Sequence, residues 1–218
     1  MTTDTTTGGV PIVDPAAAAR GTIYGTLASL FDEPDERLYE ALRDGTLAAD
    51  LDVLVERSDL DVPVPILVTR DDRDLLCARF NDVFTVGYPD PPIPLYESEH
   101  ADGGQWNDVN LDLARAYDYF GVQIDETERE HHDHLVLELE FGAYLARVAA
   151  ASDDDGARRA RRDFLGRHLA AFVESIAEDM ADEVETGIYE DVVSFAESFV
   201  AADLADLEES FDEEGDEP

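Results

Sequence analysis

The chain contains no lysine, and all fifteen of its basic residues are arginines. They are outnumbered by 53 acidic residues, which gives a formal net charge of −38 at pH 7. A protein that binds nucleic acid needs a basic stripe to neutralise the phosphates, and this sequence offers none. We therefore expect no nucleic-acid partner.

Cysteine and long apolar runs are equally scarce. Cys77 is the single cysteine, so no internal disulfide can form, which fits a reducing compartment. No stretch approaches the roughly 18 uncharged apolar residues of a membrane span. The first residues also lack the basic and apolar regions of a signal peptide. Together these absences predict a soluble, cytoplasmic protein without a membrane span.

The acidic residues are spread along the whole chain and alternate with regularly spaced apolar residues. This distribution predicts a globular fold with an acidic surface rather than a disordered acidic arm. Self-repulsion destabilises such a fold at low salt, whereas at molar salt the Debye length falls to about 3 Å and screens most of it. The composition favours adaptation to a salt-loaded cytoplasm, as in halophilic archaea. Mimicry of nucleic acid, or a basic partner, is the alternative.

The apolar spacing is helical through most of the chain, and no alternating strand pattern exceeds a few residues. The sequence therefore predicts an all-α fold, a single compact bundle of about seven to nine helices. The predicted helices cover 16–31, 35–44, 46–57, 71–84, 105–120, 127–151, 154–180 and 185–206.

The two ends of the chain differ from its middle. Residues 1–13 are polar and rich in threonine and glycine, and we expect them to be disordered. Residues 14–207 form the predicted helical domain, and residues 208–218 form an acidic tail.

A proline-rich segment from Gly87 to Ser98 interrupts the helical pattern. Four prolines within six residues exclude both a helix and a central strand. The segment is predicted to be an ordered loop or a linker, and long loops in compact domains are often functional.

A histidine-rich segment opens the helix predicted over 127–151. His131 and His134 are three residues apart and would share a helical face with Glu138, so a metal site is one interpretation. The usual helical spacing of metal-binding histidines is four residues, and it is absent here. The alternative is that His131 and His132 are simply exposed.

Asp133 and His134 enter the apolar stripe as it begins, beside Leu135 and Leu139. A polar pair at the edge of a core must be hydrogen-bonded or partly hydrated. It could tie helices together or contact a ligand in a groove, and the two roles are compatible. His168 lies within a later stripe and is predicted to be a core histidine bonded to a carbonyl or a carboxylate.

Five arginines fall between Arg158 and Arg167, directly after three aspartates. Ion pairs within a helix explain most of this cluster, and a dedicated anion site is the alternative. The sequence has neither a Gly-x-Ser-x-Gly elbow nor a glycine-rich phosphate loop. We therefore predict neither enzymatic activity nor a cofactor.

Four segments, in order, resemble the TorD/DmsD/NarJ family of chaperones for molybdenum-containing oxidoreductases. Each carries aromatic, proline or histidine positions that are typical of that family. The segments are Phe80–Phe84 with the loop to Ser98, Tyr117–Val122, Asp133–Phe141, and Phe164–Phe172. The sequence departs from the family pattern at Gly142, where a methionine is common, and at Tyr96 and Phe172, where a tryptophan is common.

The resemblance implies a cytoplasmic, non-enzymatic chaperone that binds the twin-arginine signal peptide or apoprotein of a molybdopterin oxidoreductase until the cofactor is inserted. It implies a monomer or a domain-swapped dimer. Carried over by position, the peptide contacts are Phe84, Tyr96, Glu97, Ser98, Asp133, His134 and Glu138. Two alternatives stay open: a metal-binding protein or metal-dependent enzyme that uses His131, His132 and His134, and a helical protein that binds no peptide.

Overall fold

The computed structural model describes residues 13–100, 106–124, 131–152, 155–183 and 185–215. These residues form helices and no strand, so the predicted all-α fold class is confirmed. The helices are α1 (Pro15–Leu30), α2 (Glu36–Asp44), α3 (Thr46–Arg57), α4 (Arg73–Phe84), α5 (Glu97–His100), α6 (Trp106–Tyr119), α7 (Leu135–Ala150), α8 (Asp155–Phe164), α9 (Ala170–Met180) and α10 (Tyr189–Gly215).

Aspartate caps fix where several of these helices begin. Asp14, Asp35 and Asp72 each accept a hydrogen bond from the backbone N–H three residues later, at 3.0, 2.7 and 2.9 Å. Such a bond satisfies one of the amides that a helix leaves unpaired at its first turn. The predicted starts of α1, α2 and α4 therefore lie within two residues of the observed ones.

A π-helical turn joins α8 and α9 into one continuous rod over Leu165–Leu169. Here the N–H of Ala170 donates to the carbonyl of Leu165, five residues earlier, instead of four. One extra residue in the turn rotates the side chains that follow. His168 lies in this turn and reaches the site described below.

The centre of the bundle is the packing of α1 against α7. Gly21 permits this close approach, because a Cβ atom there would lie 3.1 Å from the carbonyl oxygen of Ala143. Gly142 faces the ring of Tyr24, so the departure from the family pattern at this position leaves room for a buried tyrosine.

A network of buried charged residues connects α1 to two other helices of the bundle. The fully buried carboxylate of Asp203 accepts hydrogen bonds from Arg20 at 3.0 Å, from the hydroxyl of Tyr24 at 2.7 Å, and from Arg161. Arg20 also donates to the carbonyl of Ser58. The network links α1, α8 and α10 and pairs the buried carboxylate of Asp203 with two buried arginines.

The arginine cluster divides between surface and core. Arg158 and Arg159 pair with Asp155 within α8, as predicted from helical spacing. Arg161 does not, because it is only 1% exposed and bonds Asp203 on α10 instead.

The chain is helical beyond residue 208, where the acidic tail was predicted to begin. Helix α10 continues to Gly215. The ring of Phe211 lies 4.9 to 5.8 Å from the guanidinium groups of Arg158, Arg159 and Arg162. These cation–π contacts hold the last turns of α10 against α8. Residues 1–12 and 216–218 lie outside the described part of the chain.

Candidate functional site

The proline-rich loop meets the start of α7 at a short stretch of paired backbone. Tyr96 and His134 form an antiparallel bridge. The N–H of Glu97 donates to the carbonyl of Asp133, and the N–H of Leu135 donates to the carbonyl of Leu95, each at 2.9 Å. The loop is therefore an ordered part of the domain rather than a linker.

His131, His132 and Asp133 precede α7 and do not lie on it, which corrects the prediction that they open a helix. The backbone of this segment is used for pairing with the loop, and His134 is the N-cap of α7. Its Nδ1 accepts from the N–H of Val136 at 3.2 Å, so the ring proton of the neutral form lies on Nε2. Residues 125–130, the first part of the predicted helix, lie outside the described residues.

Asp133 anchors the loop to this junction. Its side chain is fully buried, and Oδ2 accepts from the N–H of Ser98 in the first turn of α5 at 3.1 Å. His100 adds a second anchor, since its Nε2 donates to the carbonyl of Pro94 at 2.7 Å. Asp133 therefore ties the loop to the start of α7, His134 caps α7, and a ligand contact by either residue stays a prediction.

His168 connects the loop to α6. Its Nδ1 lies 3.0 Å from a carboxylate oxygen of Glu97, and its Nε2 lies 3.2 Å from Asp112. Asp112 also accepts from Arg167 at 2.6 Å. With a carboxylate at each ring nitrogen the imidazole is held as the cation. The prediction of a carboxylate-bonded core histidine is confirmed.

The stability of the protein should report this cation. Burial lowers the pKa of His168, but its hydrogen bonds and the charges of Glu97 and Asp112 outweigh burial and raise the pKa above its usual value. A folded-state pKa above the unfolded value gives stability that is complete below about pH 6.5 and lost as the pH rises through the folded value. We expect the difference in unfolding free energy between wild type and His168→Gln to shrink as the pH is raised from about 6. Urea denaturation at fixed KCl measures it, and a difference that grows with pH would contradict this charge state.

Glu138 lies in the first turn of α7 and is fully buried. Neither of its oxygens has a hydrogen-bond donor within the described part of the chain. Burial first, and then the negative charges of Glu97 and Asp133, raise the pKa of Glu138 well above its usual range. The side chain interacts closely with the carboxyl group of Glu97, and two carboxyl groups can share a hydrogen bond only when one is protonated.

A surface groove of about 380 Å³ is lined by Tyr96, Ser98, Glu99 and His131, which lie within two residues of Glu97 or Asp133 in the chain. The ring of Tyr96 packs edge-on against His131 at 5.9 Å and against His134 at 5.0 Å. Burial, followed by the charge of Asp90, raises the pKa of Glu99. The groove thus combines aromatic walls with acid.

Residues 30–178 match the family described as nitrate reductase delta subunit. The matched region is more than half of the chain. The chain belongs to this family.

Several curated relatives of the family are assembly chaperones by name. The chain is 34% identical over 167 residues to the selenate reductase assembly chaperone protein of Thauera selenatis and 32% identical over 167 residues to the chlorate reductase assembly chaperone protein of Ideonella dechloratans. Each alignment covers 74% of this chain and 76% of the relative. The chaperone protein TorD of Vibrio cholerae is 28% identical over 208 residues, which cover 89% of this chain and 94% of TorD. The resemblance to TorD-type chaperones is therefore confirmed at the level of the family.

The family contacts carried over by position divide into three groups. Tyr96 and Ser98 line the groove. Glu97, Asp133, His134 and Glu138 form a buried polar layer next to it. Phe84 lies in the core, where its ring packs against Phe31, Phe80 and Tyr189, and it does not line the groove.

Sequence reasoning missed Glu99, an acidic groove residue two positions after Glu97. The only local signal was the carboxylate repeat Glu97-x-Glu99 at the end of the loop, which is common in so acidic a chain.

The three neighbouring histidines are dispersed rather than gathered. The ring of His132 stacks on Tyr117, and the backbone N–H of His132 donates to Oδ1 of Asn110 at 2.9 Å, whereas His131 packs against Tyr96. Both are half-buried, not simply exposed as predicted, because aromatic rings cover them. Across the described ranges, no three histidine, cysteine or acidic side chains are arranged to hold a metal. No helix in those ranges is both long and apolar enough to cross a membrane.

Proposed function

We propose that this chain is a non-enzymatic assembly chaperone that holds the catalytic subunit of a molybdopterin oxidoreductase until its cofactor is inserted. Family membership supports this role, because relatives at 32–34% identity are named as assembly chaperones for selenate and chlorate reductases. The binding site that we propose is the acidic, aromatic groove where the proline-rich loop meets α7.

The groove suits an arginine-containing peptide such as a twin-arginine signal. Guanidinium groups bind carboxylates through short, charge-assisted hydrogen bonds, and they stack on aromatic rings. Glu99 offers an exposed carboxylate at the groove, and Glu97 a partly covered one next to it. Tyr96 and His131 offer the rings. Asp133 and His134 act by positioning the loop, and the buried carboxylate of Asp133 adds negative charge next to Ser98 of the groove.

The same loop offers an apolar surface for the stretch that follows the arginines in such signals. Tyr88 is fully exposed and Val86 is 61% exposed. Asp90, two residues after Tyr88, is close enough to Glu99 for its charge to raise the pKa of that carboxyl group. Amphipathic aromatic side chains of this kind commonly anchor peptide ligands.

The setting we propose is a salt-loaded cytoplasm, on the basis of the net charge of −38 and the absence of lysine. Long-range attraction between acidic surface and arginine is already screened at about 1 M salt, so affinity must come from short contacts and apolar burial. Raising KCl from about 1 M to about 3 M should change the dissociation constant less than about threefold. Titrations at both salt concentrations measure it, and a steep loss of affinity would contradict this view of the groove.

Co-purification tests the proposed role. Tagged chaperone is expressed with the catalytic subunit of a host molybdopterin oxidoreductase, once with and once without its signal segment. Retention that depends on the signal segment supports binding at the groove. Equal retention of both forms would move the main contact to the body of the enzyme, and retention of neither would refute the client class.

A further inference from the structure

Three carboxyl groups gather next to the groove from different parts of the fold. Glu97 begins α5, Asp133 precedes α7, and Glu138 lies in the first turn of α7. The side chain of Glu97 is 13% exposed, and Asp133 and Glu138 are fully buried. Such a concentration of acid away from water is unfavourable unless positive charge or protons compensate it.

The donors around this cluster satisfy only part of it. His168 donates to Glu97, and the N–H of Ser98 donates to one oxygen of Asp133. Oδ1 of Asp133 and both oxygens of Glu138 have no donor among residues the structure describes. Three buried acceptor atoms at one place indicate that a proton or a cationic group belongs there.

A proton completes the cluster in the free protein. As a neutral acid, Glu138 can donate to Glu97, which removes the repulsion between the two side chains. An arginine side chain in the groove would bring a positive charge to the same carboxylates and make this proton unnecessary. An opposite charge within about 4–6 Å favours the ionised form of a carboxyl group.

We propose that Glu138 is a neutral acid in the free protein and gives up its proton when an arginine side chain of the partner binds beside Glu97. Peptide binding then releases a proton to solvent, and affinity rises with pH. The release requires the arginine binding proposed above. The carboxyl cluster would then favour a guanidinium, which stays charged, over neutral side chains, which leave the buried acids uncompensated.

The other titratable groups facing Glu138 make different predictions. Tyr117 on α6 is buried, and burial followed by the charge of Glu138 raises its pKa well above 10, so it stays a neutral hydroxyl. His168, with Asp112 behind it, is a cation that could lose a proton instead of Glu138. Variants of Glu138 and of His168 therefore show which of these two groups releases the proton.

Calorimetry in buffers of different ionisation enthalpy counts the protons. A twin-arginine signal peptide is titrated into the full chain at about pH 6 and constant KCl, and the slope of observed enthalpy against buffer enthalpy gives the number released. We expect close to one proton for wild type and for His168→Gln, and none for Glu138→Gln. Glu140→Gln, two residues along the same helix and exposed, is the matched control and should still release the proton.

The outcomes are distinguishable. Binding without proton release in wild type, or equal release by Glu138→Gln, overturns the inference but leaves the proposed function intact. Release lost only in His168→Gln assigns the proton to the histidine. No binding of any peptide overturns the inference and peptide binding at the groove, whereas the co-purification described above decides the chaperone role by itself. If Glu138→Gln fails to fold, the pH dependence decides, since the release of one proton tightens wild-type binding by about tenfold for each unit rise in pH between the Glu138 midpoints of the complex and of the free protein, and a flat profile overturns the inference.

Discussion

Replacing Asp203 by alanine lowers the free energy of unfolding by about 3–5 kcal/mol, because it leaves buried positive charges uncompensated. Asp203 is fully buried, and two arginines with side chains 7% and 2% exposed converge on it. Arg161 is already short of partners, since its Nε has no acceptor within the described residues. Without Asp203, the guanidinium of Arg161 also loses the ion pair that it makes with this carboxylate.

Asp206 provides the matched control for this result. It also pairs with Arg20, but its side chain is 46% exposed. Partly exposed ion pairs contribute about 0–1 kcal/mol, so Asp206→Ala should cost much less than Asp203→Ala. Urea denaturation at constant KCl compares the two. Equal losses would mean that the network does not hold α1, α8 and α10 together as described.

Asp133→Ala and Asp133→Asn should separate the anchoring of the loop from the binding of arginine. Alanine removes the acceptor for the buried N–H of Ser98, and a buried donor left unpaired costs about 1–3 kcal/mol. Asparagine keeps an acceptor oxygen at this position but removes the charge. We therefore expect Asp133→Ala to be less stable than wild type and Asp133→Asn to be close to it.

Peptide affinity should follow a different order. Both variants lack the negative charge that Asp133 adds next to the groove, so we expect each to bind the peptide about tenfold more weakly than wild type, which corresponds to about 1.4 kcal/mol. Calorimetric titration of the folded variants measures this loss. Wild-type affinity in Asp133→Asn would restrict Asp133 to the structural role and leave recognition to Glu97 and Glu99.

The sequence was a good guide wherever local rules decide the structure. The helical spacing of apolar residues placed most helices within a few residues of their observed bounds. His168 was expected to bond a carbonyl or a carboxylate in the core, and it does, because a polar side chain within an apolar stripe has no other means of satisfying its nitrogens.

Local sequence patterns did not predict the contacts between distant parts of the chain. The bridge between Tyr96 and His134 pairs the backbone of the histidine-rich segment with the loop, so this segment is not helical. The sequence around His131 does not predict this pairing. Arg161 looked like a surface residue of α8 until Asp203 on α10 supplied its counter-charge. Phe84 followed the family pattern, yet its position in the core depends on Phe31 and Tyr189 from other helices.

The most direct test of the central proposal is calorimetric titration of the protein with twin-arginine signal peptides of the host's molybdopterin oxidoreductases, in about 2 M KCl to screen self-repulsion. The matched control is the same peptide with both arginines replaced by lysines, which keep the charge but lose the planar donor pair. We predict dissociation constants of about 1 μM or tighter for one client peptide and at least about tenfold weaker binding of its lysine form. No binding of any signal peptide, or equal binding of the lysine form, would contradict recognition of arginine in this groove.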